Sequence, residues 1–221
     1  MYSYYRKQCP PGTFLYAIRP RDTLYGIANR YNVFLNDLIK TNPGINPYLL
    51  MIGQVICIPD RTDNLPIAKE IPVIVEGITE YLQARLQQSE QGYYIYVFDN
   101  YKFSAEEPGS DVLITTIDDN FFTRIQRLPL TANINVLKQN SILSLSDIGE
   151  PRELSGEEIS EPFFRRNEFF INASNEEISV NRILKKIGGS LFLYTMFLPI
   201  TKATDEIMFS FYAMMKTTRE I

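Results

Sequence analysis

The sequence predicts an α+β protein in two parts, a small N-terminal β-α-α-β module and a larger antiparallel-sheet domain with packed helices. Three observations predict it. Residues 9–59 hold short apolar runs at helical spacing between two β-rich ends. Residues 60–72 turn polar and proline-punctuated, and from Val73 onward aromatic and β-branched runs alternate with turn signals. With 221 residues, 45 % of them hydrophobic, the chain is long enough to bury a core in each part.

The elements of the first part follow in order. Residues 14–18 read as a strand and Pro20-Arg21-Asp22 as a turn. Asp22 is placed to accept bonds from the first free amides of a helix that carries Leu24, Ile27, Ala28 and Tyr31 as one stripe. Asn32 suits a left-handed terminator. Leu35, Leu38 and Ile39 then begin a second stripe, which Asn42-Pro43-Gly44 ends, and residues 54–58 return as a strand.

This stretch resembles a LysM module, the small carbohydrate-binding domain of strand-helix-helix-strand order. The matching positions are Tyr16, Ile18, Asp22-Thr23-Leu24, Ile27-Ala28, Tyr31, Val33, Leu38, Asn42-Pro43-Gly44-Ile45-Asn46, Gly53-Gln54 and Ile56-Cys57-Ile58-Pro59. The resemblance implies binding to N-acetylglucosamine-containing glycans, peptidoglycan or chitin, with no chemistry done by the module and no cofactor. It implies a shallow groove between Arg21, Asp22, Thr23, Leu24 and Tyr25 of the first turn and Ile45, Asn46, Tyr48 and Leu49 of the second loop. Backbone groups there would bond the acetamido group, and Ile45, Tyr48 and Leu49 would form the apolar floor. The chain departs from the pattern twice: Arg21 stands where the family usually has Gly, and Phe34 where a Ser or Thr would cap the second helix. The first departure bears on sugar affinity, because Gly serves where backbone approaches a ligand or takes a positive φ. A LysM fold kept as a protein-docking module is the alternative.

Cys9 and Cys57 bracket the module. If the two strands are antiparallel neighbours, a bridge between them is geometrically reasonable; the alternative is a pair of reduced, small hydrophobic residues. Two cysteines without histidine supply too few ligands for zinc.

Charge and chemistry narrow the function classes. A net charge of -4 with scattered Lys and Arg gives no basic field for nucleic acid. The absence of histidine removes Ser-His-Asp and Cys-His triads and His-ligated metals, and no phosphate-binding glycine loop follows a strand. A glycosidase needs only two carboxylates. Glu76, Glu80, Glu106, Glu107, Asp118 and Asp119 are available for it, although turns and solvated edges carry the same residues. Residues 1–8 have no apolar run behind their charge and so do not read as a secretory signal, and residues 191–200 are too short an apolar run to span a bilayer. Synthesis in the cytosol with a glycan-facing role fits the coat or cortex surface of a bacterial endospore, or a phage-tail component released by lysis.

In the second part residues 78–88 and 93–98 read as a hairpin about Ser89-Glu90-Gln91-Gly92, with a helix as the competing reading of residues 79–88. A turn over residues 107–111 leads to a second hairpin, residues 112–117 with 121–128. Thr131 is placed to cap a helix with Ile134, Leu137, Ser141, Leu145 and Ile148 on one face. Residues 149–161 read as a long exposed loop and residues 163–173 as a strand. Gly188-Gly189 joins a third hairpin, and Pro199 and Thr201 open a last helix striped by Ala203, Ile207, Phe211, Met214 and Met215. This element order resembles PsbP-like α+β domains, which are mostly binding or assembly modules, and implies another protein as partner. Three clusters have two readings each. Tyr2, Tyr4 and Tyr5 suit oxidative cross-linking or a frayed terminus. Tyr93, Tyr94 and Tyr96 suit a ligand face or a half-buried strand, and Met208, Met214 and Met215 an adaptable groove or core packing.

Overall fold

The computed structural model describes residues 9–10, 12–31, 33–59, 65–75, 77–107 and 109–220. Of residues 29 and 107 the backbone alone is described. Asn32, the terminal tyrosines Tyr2, Tyr4 and Tyr5, and Glu76 lie outside the described residues. The chain divides into two compact units, Met1–Ile67 and Ala68–Ile221.

The first unit runs β1 (Thr13–Ala17), α1 (Leu24–Arg30), α2 (Leu35–Thr41), β2 (Val55–Pro59). β1 and β2 pair antiparallel, with Leu15 opposite Cys57. The two sequence stripes meet in one core: Leu24, Ile27, Ala28 and Leu38 are buried with Tyr16, Ile18, Val33, Ile56 and Ile58, and Tyr31, Leu35 and Ile39 pack against them. Burying those side chains is what lets two seven-residue helices persist, since helices so short are marginal alone. Asn42 adds a polar lock under the end of α2. Its buried amide donates to the carbonyls of Leu38 (2.8 Å) and Cys57 (2.6 Å) and accepts from the Cys57 N–H at 2.8 Å. Cys9 and Cys57 form a disulfide across 48 residues.

The second unit holds β3 (Ala68–Val75), β4 (Ile78–Ser89), β5 (Tyr93–Phe98), β6 (Tyr101–Glu107), β7 (Ser110–Thr115), β8 (Phe122–Pro129), α3 (Ile134–Leu145), β9 (Arg152–Glu153), β10 (Phe169–Ser174), β11 (Ile178–Ile187), β12 (Ser190–Pro199), α4 (Thr204–Met215) and β13 (Arg219–Glu220). Its pairings are antiparallel. They make a seven-stranded sheet ordered β6-β7-β8-β12-β11-β10-β9 and a four-stranded sheet ordered β13-β5-β4-β3. The architecture is α+β.

α3 covers one face of the large sheet: Leu145 joins a buried cluster of Phe169, Ile171, Ala173, Val180, Leu184, Leu191 and Leu193, and Ile134, Leu137 and Ile148 pack on it. Alternate residues of the same strands build an aromatic core on the opposite face. There Phe192 meets Tyr93 edge-on at 5.2 Å, and Phe164 meets Tyr194 at 5.8 Å and Tyr212 of α4 at 5.3 Å. Arg127 of β8 pins the two sheets together. It donates to Ser190 Oγ on β12 (2.9 Å), to the carbonyls of Gln91 (2.7 Å) and Gly92 (2.9 Å) in the β4–β5 turn, and to Glu220 of β13.

Several sequence expectations need correction. The stretch read as a linker already enters β3 at Ala68; Pro72 is tolerated because β3 is an edge strand, where a missing N–H costs no ladder bond. Residues 79–88 are strand, as the hairpin reading has it and against the competing helix: β4 pairs with β3 through its first part and with β5 through its last. β6 and β13 were not foreseen. α3 is capped by Asn133, whose side chain accepts from the Val136 N–H at 3.2 Å, two residues beyond Thr131. The stretch 149–161 is held down by β9, by a 3-10 turn at Gly156–Glu158 and by the buried Ile159. Residues 162–165 form a second 3-10 turn, so the strand begins only at Phe169.

Candidate functional site

The two loops of the first unit that were read as a binding groove are fixed differently. In the first, Asp22 N–H donates to the Arg19 carbonyl at 3.1 Å, closing a turn in which Arg21 has φ 69°. Arg21 is the one non-glycine residue at positive φ among the described residues, and it stands where the LysM pattern has Gly. Arg21 thus holds a backbone conformation that glycine reaches without strain.

Asp22 does not cap α1. Its carboxylate accepts from the Tyr16 hydroxyl at 2.6 Å, the Arg19 N–H at 2.8 Å and the Arg30 guanidinium at 3.0 Å, and Arg30 also donates to the Tyr16 oxygen at 2.8 Å. The Asp22 side chain is only 3 % exposed. The Tyr16 hydroxyl bond, then the Arg19 amide and Arg30, hold its carboxyl below the usual carboxylate range, and the same bond pushes the Tyr16 hydroxyl up. The cap is Thr23, whose Oγ1 accepts from the Gly26 N–H at 3.0 Å. Leu24 is buried in the core, and Tyr25 points out, 63 % exposed.

The second loop is tied to the first through Ile18. Ile18 N–H donates to the Gln54 carbonyl at 2.9 Å and Gly53 N–H to the Ile18 carbonyl at 2.8 Å, while Gln54 Oε1 accepts from Met51 N–H at 3.0 Å. The Asn46 side chain accepts from the Tyr48 N–H at 2.9 Å, which sets the turn into residues 48–52. Ile45 and Leu50 pack against the core, so Ile45 roots the loop instead of standing free as its floor. Tyr48 is 92 % and Leu49 72 % exposed, and Met51 and Ile52 stand out with them. Met51 and Ile52 were missed, although the run Tyr48-Leu49-Leu50-Met51-Ile52 in so small a module was a visible signal.

Phe34 is in extended conformation at the start of α2 and gives no side-chain cap. The carboxylates considered for catalysis are scattered. Glu80 is exposed on β4, and Asp119 is exposed in the turn between β7 and β8. Asp118 accepts from the backbone and side chain of Asn120. Glu106 takes two bonds from Arg124, which lower its carboxyl. The Glu107 side chain and Glu76 lie outside the described residues. Met214 and Met215 are in the core, and Met208 is half-buried. Tyr93, Tyr94 and Tyr96 are buried in a strand covered on both faces.

Comparison with known proteins gives two matched regions. Residues 65–219 match the family described as a domain of unknown function, DUF8580. The chain belongs to the DUF8580 family. Its residues 16–59 match the LysM domain, so this DUF8580 protein carries a LysM carbohydrate-binding module at its N-terminal side. A secreted LysM effector, Blys4 of Beauveria bassiana, is 37 % identical over 54 residues, 24 % of this chain and 32 % of that protein. The match thus spans about a third of the relative's length. Among solved structures, one from Bacteroides thetaiotaomicron covers 58 % of this chain and 45 % of its own at 13 % identity and a TM-score of 0.33. LpqN of Mycobacterium tuberculosis, involved in cell envelope biogenesis, covers 69 % and 90 % at 11 % identity and 0.34. Likenesses this low say nothing about the function of the DUF8580 domain.

Proposed function

We propose that this is a non-enzymatic binding protein whose LysM domain holds an N-acetylglucosamine polymer, peptidoglycan or chitin, while the DUF8580 domain engages another protein. The observation that carries the reading is the pair of loops tied through Ile18, from which Tyr25, Tyr48, Leu49, Met51 and Ile52 stand into solvent. Apolar side chains on a backbone this well fixed suit the faces of sugar rings. The one carboxylate in the two loops, Asp22, is taken up by the Tyr16 hydroxyl, the Arg19 N–H and Arg30, so it does not serve a cationic ligand. A single shallow site binds weakly, so retention on a polymer calls for several copies. An assembly role of the PsbP-like kind for the second domain belongs to this reading and rests on the sequence resemblance alone. A spore coat or cortex surface is the setting we infer, a phage particle its alternative.

The test is retention of the purified protein on insoluble chitin and on peptidoglycan, beside a Tyr48→Ala, Leu49→Ala variant. Both side chains are exposed, so the variant keeps its fold, which circular dichroism checks. Wild type should be retained on at least one polymer and the variant at least about tenfold less. Failure of the wild type on both polymers would sink the glycan reading and leave the LysM fold as a docking module.

A further inference from the structure

The DUF8580 domain holds a cavity of about 210 Å³ where α3 meets the large sheet. Arg182 of β11, Thr195 of β12 and Arg124 of β8 stand opposite one another in register, so their side chains share one face. It is the face that α3 covers, since Val180 and Leu184, two residues either side of Arg182, belong to the cluster under α3. A polar row thus interrupts an apolar surface.

The two arginines differ in what they hold. Arg124 is neutralised by Glu106, with bonds of 2.6 and 2.9 Å, and lies over the rings of Phe122 and Phe197. Arg182 donates through Nη1 to Ser144 Oγ of α3 at 2.7 Å, and its Nε, sealed from solvent, has no hydrogen-bond partner. Ser110 Oγ, on the same cavity, is also buried and unpartnered. These are two of the three such side-chain atoms among the described residues, and both line one cavity in which no acidic residue takes part. Burial pushes the Arg182 guanidinium below its ordinary range. A guanidinium keeps its charge all the same, and here it is half-buried with the neutral Ser144 hydroxyl as acceptor, where an anion would give a charge-assisted bond. Leu145, Val180 and Phe197 supply an apolar wall. The volume is below the roughly 300–1,000 Å³ of sites for drug-sized ligands.

We propose that this cavity binds a small monocarboxylic acid, its carboxylate on Arg182 and its short apolar tail against Leu145, Val180 and Phe197. A carboxylate matches a guanidinium edge in plane and charge. A phosphate dianion would place its further charge against the apolar wall, and a neutral molecule would leave Arg182 unpaired.

Benzoate is the probe, titrated into the full chain with amide chemical shifts as readout and benzyl alcohol and inorganic phosphate as controls. Saturable shifts centred on residues 110, 144, 182 and 195 are expected, with a rise in the melting temperature of the second domain. Benzyl alcohol should bind at least about tenfold more weakly. Arg182→Gln should abolish the benzoate shifts, and Arg182→Lys, which keeps the charge and loses the planar fork, should weaken binding and carries the test if the first variant does not fold. The proposal is overturned if benzoate gives no saturable shifts there, if benzyl alcohol or phosphate binds as well, or if both variants bind like wild type.

Discussion

Each domain builds a carboxylate into its structure under a tyrosine hydroxyl at 2.6 Å, and the two pairs are solved in opposite ways. In the LysM domain Asp22 takes Tyr16, a backbone amide and the half-exposed Arg30, so a cation answers the anion at the rim of the candidate site. In the DUF8580 domain Asp111 is buried, and its Oδ2 takes three neutral donors, Tyr93, Ser89 at 2.6 Å and Gln91 at 3.0 Å. A small module with little interior secures its turn by charge and covalent closure. The larger domain has enough aromatic interior to bury its polar network outright.

That contrast breaks first under reductant. The disulfide closes a loop of 48 residues in the LysM domain, which in the chain-entropy model is worth about 4 kcal/mol, and both cysteines are in that domain. Thermal unfolding with and without reductant should shift the LysM transition alone. A shared shift of both transitions would show that the two domains unfold as one.

Alkali should press on the other domain. Burial, with the Asp111 bond second, pushes the Tyr93 hydroxyl far above its ordinary value of 10.0, and burial does the same to Tyr194 and Tyr212. Their folded pKa lies above the unfolded one, so their stabilisation is complete below pH 10 and declines as pH rises past it, where only the unfolded chain gives up the proton. Near pH 10.5 the loss is roughly 0.8 kcal/mol for each tyrosine, between about 2 and 3 kcal/mol for the three. Denaturant titrations followed by tyrosinate absorbance measure it; a stability flat from pH 9 to 11 would contradict the buried network.

The smallest effect tests the first loop. Arg21→Gly removes the cost of a left-handed non-glycine residue and should raise the unfolding free energy of the LysM domain by about 1 kcal/mol, less what Gly gains in the unfolded chain. A loss of stability would mean that the Arg21 side chain holds the turn.

The same contrast explains what the sequence disclosed. The LysM core was legible because its stripes are local: Leu24, Ile27, Ala28 and Tyr31 lie on one helix, and the turn and stop residues agree with them. The role of Asp22 was not, since its partners Tyr16 and Arg30 lie six residues before it and eight after it and become neighbours only once β1 and α1 are packed. The three hairpins of the second domain were legible from alternation and turn chemistry. β6 was overlooked despite the alternating Tyr101, Phe103 and Ala105, and β13, two residues long, has no pattern of its own because its pairing with Tyr93 and Tyr94 defines it. Nor does any local rule point to Arg182, one of three cations in β11.

Arg127 also sets an order in time. Its carboxylate partner, Glu220, is made 93 residues later, an interval of about 5 to 20 s at ordinary rates of synthesis. Until then Arg127 and the β4–β5 turn lack the strand that closes the small sheet, and the open edge of β5 is there for any other strand to take. The nascent DUF8580 domain therefore stays open to mispairing at Tyr93 and Tyr94 throughout that interval.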